Sequence, residues 1–286
     1  MWSVIRKSKS RKALRRKGLG RFERLESRWC PAAPSITSFA ADVGPGHSVT
    51  LSGQVSDENP SMVMIQFTGA VTATVFTNSQ GQFTYTTQNC QLGTVTAKAR
   101  DMEMLWSQPV TADITSDAPQ IVNLSVVESG PNRQVTISGN VIDEDKYGLW
   151  VSVTGKVTAN GVTDENGDFS ITATATALGD VTVTVVDPWG LQGTAVGTIT
   201  SNAPSITNLY VENYGNNRYQ IVGFVSDEFP VGLTVYFDGV LAGKTGTVNE
   251  AGFFDEYFII TDRGEASVIV YDWWGIPSEL VLFEIE

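Results

Sequence analysis

Histidine occurs once in these 286 residues and cysteine twice. With His47 alone, neither a His-based zinc centre nor a Ser-His-Asp arrangement can be assembled, because each needs imidazole partners that converge. Cys30 and Cys90 allow at most one disulfide, so any core must rest on apolar burial. A Cys30–Cys90 bond in an oxidising compartment and an unpaired Cys90 near a strand end both stay open. No apolar run approaches the length of a membrane span or of a secretory h-region. No stretch beyond residue 33 carries a helical stripe of apolar residues. Basic residues are also scarce after position 30, where eight of the 19 Lys and Arg meet 29 of the 31 Asp and Glu, a net charge of -21. So acidic a body is unsuited to nucleic acid or another polyanion.

The missing cations sit in the first thirty residues, which carry eleven Lys or Arg against Glu23 and Glu26. Such a head reads as a disordered basic arm, as a patch for nucleic acid or anionic lipid, or as an export leader. The order basic cluster, then Arg21-Phe22-Glu23-Arg24-Leu25-Glu26-Ser27-Arg28, then Pro31-Ala32-Ala33 resembles the N-terminal leader of planctomycete exported and surface proteins. That resemblance implies an extracellular or cell-surface location.

The body repeats. Ala33-Pro34-Ser35-Ile36 returns as Ala118-Pro119-Gln120-Ile121 and Ala203-Pro204-Ser205-Ile206, 85 residues apart each time. Ser52-Gly53-Gln54-Val55-Ser56-Asp57-Glu58 is answered by Ser138 to Glu144 and by Val222 to Glu228. Three in-phase signatures predict three tandem units, 33–117, 118–202 and 203–286, behind a basic segment 1–32. Apolar and polar residues alternate within each unit, as in Val181-Thr182-Val183-Thr184-Val185, which predicts strands with one face buried. In the middle unit they fall near 120–126, 134–142, 149–154, 156–163, 168–175, 180–187 and 193–200. Seven short strands predict an all-β, immunoglobulin-like sandwich. With the Gly-x-Val-x-Asp-Glu strand end, the Gly-x-Phe hairpin and Val183 to Gly190, the units resemble bacterial immunoglobulin-like repeats of adhesin-type surface proteins. The proline-containing joins at Pro119 and Pro204 predict neighbours that abut, hence a semi-rigid rod.

Catalytic residues are not evident. Asp57-Glu58, Asp143-Glu144 and Asp227-Glu228 recur in every unit, and adjacent strand residues point to opposite faces, so none makes a single carboxylate-pair active site. With Asp101, Asp187 and Asp272, which recur after the sixth strand, they form the candidate calcium positions, as in cadherin-like rods. Hard cations take six to eight oxygens, and the alternative is that each aspartate caps a turn. No other cofactor is implied. Trp189 and the pair Trp273-Trp274 fall on corresponding turns, where the first unit has Glu103. Exposed indoles there predict a sugar platform, whereas folded-over indoles would close their own sandwich. The segment Asp164-Glu165-Asn166-Gly167-Asp168-Phe169 has calcium-loop composition, but Phe169 and Ala175 stand where an EF-hand needs glycine and glutamate. Its counterparts keep only the glycine and the phenylalanine two places later, which predicts a hairpin turn. The expected protein is a non-enzymatic surface or secreted rod, a spacer or adhesive module with an extracellular protein or polysaccharide as partner. A carbohydrate-binding accessory module and a calcium-rigidified adhesion rod are the alternatives.

Overall fold

The computed structural model describes residues 31–88 and 90–286. The basic head and Cys30, with the leader and disulfide expectations attached to them, lie outside the described residues. Among the latter, every regular element is a strand, and no helix is long and apolar enough to cross a membrane.

The first repeat contains β1 (Ser35–Gly44), β2 (Ser48–Ser56), β3 (Met64–Gly69), β4 (Ala73–Phe76), β5 (Gln82–Gln88), β6 (Gly93–Arg100) and β7 (Val110–Ile114). The second contains β8 (Gln120–Gly130), β9 (Gln134–Ile142), β10 (Trp150–Gly155), β11 (Ala159–Val162), β12 (Asp168–Thr174), β13 (Gly179–Val186) and β14 (Gln192–Ile199). The third contains β15 (Ser205–Asn213), β16 (Arg218–Ser226), β17 (Thr234–Gly239), β18 (Thr245–Thr247), β19 (Phe253–Ile259), β20 (Gly264–Val270) and β21 (Val281–Ile285).

All pairings are antiparallel, and each repeat faces a three-stranded sheet (β1-β2-β5 and its equivalents) with a four-stranded one (β4-β3-β6-β7 and its equivalents). These are immunoglobulin-like sandwiches. The fourth strand of each pairs with the third rather than crossing to the other sheet. Only three residues join β10 to β11, and they span about 10 Å fully extended, which favours a hairpin on the same sheet. Val157, in that connection, turns inward and is fully buried, as are Val71 and Leu241 in the other two. This is why the strand expected to begin at 156 begins at Ala159: an apolar plug interrupts the alternation.

Three separate apolar clusters result, built around Leu51 and Phe67, around Ile137 and Val153, and around Ile221 and Phe237. Val49, Leu51 and Val55 on β2 are buried while the residues between them are not, and Val135, Ile137 and Val141 on β9 repeat the pattern.

Two of the recurring signatures prove to be halves of one contact. Phe83, Phe169 and Phe254 are buried, and each lies across from the glycine of the Gly-x-Val motif: Gly53, Gly139 and Gly223. A Cβ at Gly223 would sit 2.3 Å from Cζ of Phe254, and one at Gly139 would sit 2.8 Å from Cζ of Phe169. Leading into β12, the acidic segment forms the expected turn. Gly167 has φ 86°, and Asp164 Oδ1 accepts from the N–H groups of Asn166 and Asp168 at 2.8 and 2.9 Å. Asn78 and Asn249 make the same pairs of bonds in the other repeats, so the carboxylate is not needed.

Gly223→Ala should destabilise the third sandwich by about 1–3 kcal/mol through this overpacking. Urea titration followed by Phe and Tyr signals tests it, and an unchanged midpoint would mean that the ring shifts without cost.

Candidate functional site

Polar side chains with non-local roles gather where one repeat meets the next. Asp101, Asp187 and Asp272 lie at the β6–β7, β13–β14 and β20–β21 turns and are 6, 5 and 6% exposed. One oxygen of each accepts from the backbone N–H four residues on, at Leu105, Leu191 and Ile276, at 2.7–2.8 Å. These are turn caps of the kind aspartate favours.

The Asp-Glu pairs divide their labour. Asp57, Asp143 and Asp227 each accept from the N–H two residues on at 2.8 Å, which shapes the turn after the second strand. The glutamates reach instead to the segment entering their own sandwich. Glu58 accepts from Ala32 N–H at 2.8 Å, Glu144 from Ser116 Oγ, and Glu228 from Asn202 Nδ2 at 2.5 Å. Linker and sandwich are thus tied at the same place in all three repeats.

At the first junction, Asp145, 8% exposed, reaches the β1–β2 turn of the preceding repeat. It accepts from the N–H groups of Gly46 and His47 at 2.5 and 3.1 Å. The His47 ring stands edge-on to the Trp189 indole with centroids 4.0 Å apart, and Trp189 packs against the apolar cluster of the first repeat. His47 is half-buried because this indole covers it. At the second junction, Trp274 packs against the cluster of the second repeat. Ser201 Oγ lies 3.1 Å from Glu128 and 3.4 Å from Asp272, and its single proton serves one of them. Trp273 stays with its own sandwich and donates from Nε1 to the Phe229 carbonyl at 3.0 Å. Trp189 and Trp274 are thus half-buried wedges that close the neighbouring repeat rather than their own.

The junctions also hold polar atoms with no protein partner. Oδ2 of Asp143, Asp187 and Asp227 and Nε1 of Trp189 and Trp274 are buried and make no hydrogen bond; the same holds for Oδ2 of Asp57 at the equivalent end of the first repeat. The Trp274 indole N–H faces the Glu128 carboxylate and favours its charged form, but falls short of hydrogen-bond geometry. Desolvation, then repulsion from Glu144, Asp187 and Asp145, raises the pKa of Asp143. Desolvation, then Glu228 and Asp272, raises that of Asp227. Glu128 is raised by burial against the pull of Trp274 and Ser201. Among the described residues, no three His, Cys, Asp or Glu side chains converge as metal ligands. Cys90 is half-buried on the first cluster, and burial raises its thiol pKa.

No family model and no curated protein sequence matches the chain. Several solved structures are similar in fold. One is part of a 1.5-MDa bacterial ice-binding adhesin, described for host cell surface retention, at 17% identity over 89% of this chain and 96% of that one, TM-score 0.29. The fibronectin(III)-like modules of Clostridium thermocellum CbhA match at 18% identity over 58% and 92%, TM-score 0.26. A 282-residue C-terminal fragment of intimin, in complex with the intimin-binding domain of its translocated receptor, matches at 16% over 60% and 66%, TM-score 0.24. At such scores these likenesses carry no argument about what the chain does.

Raised carboxylate pKa values mean that the folded junctions hold protons more tightly than the unfolded chain. Their contribution is fullest below the ordinary carboxylate range and is lost as pH rises through the raised values. In buffer with a chelator, Asp227→Asn keeps the turn-capping oxygen and removes the charge. It should raise the melting midpoint at pH 7 by roughly 1–3 °C, with the gain shrinking as pH falls toward 4. A variant that melts lower at pH 7 would show that the charge is stabilising.

Proposed function

We propose that this protein is a non-enzymatic surface or secreted protein whose three units, 33–117, 118–202 and 203–286, form a semi-rigid rod that serves as spacer or adhesive module. The observation that supports this reading is the pairing of two contacts at one junction. Trp189 seals the core of the preceding repeat, and Asp145 clamps the backbone of that repeat's turn. A flexible string of beads needs neither. The leader-like head supports a location outside the cytoplasm, and the chemistry of the described residues supplies no catalytic constellation. Trp189 and Trp274 act as structural wedges in this reading, which leaves little of their faces for sugar.

Small-angle scattering on the full chain should give a body about 100 Å long, from three sandwiches end to end, each with strands of about ten residues. Trp189→Ala with Trp274→Ala should keep the far-UV spectrum and broaden the distance distribution as the joints loosen. A parent protein already as flexible as the double variant would sink the rod.

A second reading, calcium between repeats, is favoured by the buried, unpartnered Oδ2 atoms of Asp143, Asp187 and Asp227. Asp143 with Asp187 at the first junction and Asp227 with Asp272 at the second would each offer two carboxylates, and since no third acidic side chain converges with them among the described residues, backbone carbonyls would have to complete the set. The ion would supply the positive charge that these carboxylates lack. Millimolar calcium against a chelator should then raise the melting temperature by several degrees, and an unchanged temperature discards the idea.

A further inference from the structure

The outward face of the three-stranded sheet differs sharply between repeats. In the first two it is a carpet of short polar side chains, centred on the cross-strand pairs Thr50–Thr86 and Thr136–Thr172, whose hydroxyls hydrogen-bond at 3.0 Å. Their neighbours on this face of β2, β5, β9 and β12 are Ser, Thr, Gln and Asn, with Asp168 the one charge, and the outer strands add Asp42 opposite Thr50 and the exposed Val127 opposite Thr136 but no aromatic ring. In the third repeat the same central position is Gln220–Tyr257, and the pairs on either side are Phe224–Phe253 and Arg218–Ile259 with Val222–Asp255 between. Tyr210 and Glu212 on β15 lie opposite Val222 and Gln220 and extend the face, and Tyr214 follows. Tyr210, Tyr214 and Tyr257 are 58, 55 and 60% exposed. Folding gains little from aromatic rings left this exposed, because their area stays in water.

Two of these rings, Tyr214 and Tyr257, are held against each other. Tyr214 and Tyr257 lie with centroids 6.3 Å apart at 42°. The Tyr214 hydroxyl donates to Gln220 Oε1 at 2.8 Å, and Gln220 Nε2 donates to Asp255 Oδ1 at 2.7 Å. Between Tyr214, Arg218, Tyr257 and Ile259 a groove of about 680 Å³ runs off the end of the sheet, a size usual for small-ligand clefts.

We infer that this face of the third repeat binds a neutral polysaccharide, its sugar rings lying on Tyr210, Tyr214 and Tyr257 and its hydroxyls donating to Asp255 and Glu212. The chemistry selects that class. Flat rings offer contact area at low entropic cost, and carboxylates accept hydrogen bonds from hydroxyl groups. A polyanion is repelled by the acidic body. A second copy is the competing occupant, which the oligomeric state separates from a polysaccharide in the test below. This surface is separate from the junction tryptophans and does not depend on the rod, so either proposal can fail without the other.

The test is native electrophoresis of the full chain in gels cast with hydroxyethylcellulose, galactomannan or arabinoxylan. At least one should retard the parent protein. The variant Gln220→Thr/Tyr257→Thr, which restores the pair found in the first two repeats and so should fold, should lose at least tenfold in apparent affinity. Tyr236→Ala, on the opposite sheet, should bind as the parent does. Free migration of the parent in all three gels overturns the inference, as does equal retardation of the double variant. So does a parent dimer in sedimentation equilibrium that the double variant abolishes, which would make the face a self-interface.

Discussion

Each sandwich closes on an aromatic ring laid over a missing side chain. The Phe of the Gly-x-Phe turn lies against the glycine of the second strand, joining the central strand of the smaller sheet to the edge strand beside it under the core. Without a disulfide between the sheets, this contact and the apolar alternation around it must set the register. A slip of one residue would put a Cβ where the ring is and turn every valine outward. The turn that delivers the ring has the same constraint in miniature: a residue free to take positive φ, then an apolar anchor.

With the sandwiches fixed this way, the residues around the second and sixth turns are free to act on the neighbouring repeat. Aspartate closes its own turn, glutamate holds the incoming linker, and tryptophan crosses to the neighbour. The cost is local, because carboxylate oxygens and indole nitrogens are buried without partners and the carboxylates repel one another. Protonation relieves this repulsion, so the energy of the joint depends on acidity.

The fold was readable because repetition and period-two alternation are local signals. The 85-residue period, the seven strands of the middle repeat and the acidic hairpin turn all follow from residues close in sequence. The start of β11 was not, since the inward Val157 looks in sequence like one more residue of a strand. The junctions were half-readable. Glu144 and Trp189 stand out by recurrence, but their partners Ser116 and His47 lie 28 and 142 residues away, a distance that no motif spans, and Asp145, which holds Gly46 across the junction, recurs in neither of the other repeats. The aromatic face of the third repeat did leave a signal: where the first two repeats align Thr with Thr, the third aligns Gln with Tyr.

Glu103 stands in the first repeat where Trp189 and Trp274 stand in the others. Since each wedge fits the repeat before it, the sequence of a turn specifies its neighbour as well as its own sandwich. The three repeats therefore work as an ordered set of keys and locks. Transposing the first and second would leave an indole with no core to enter and present a carboxylate to a pocket shaped for a ring, although every sandwich would remain intact.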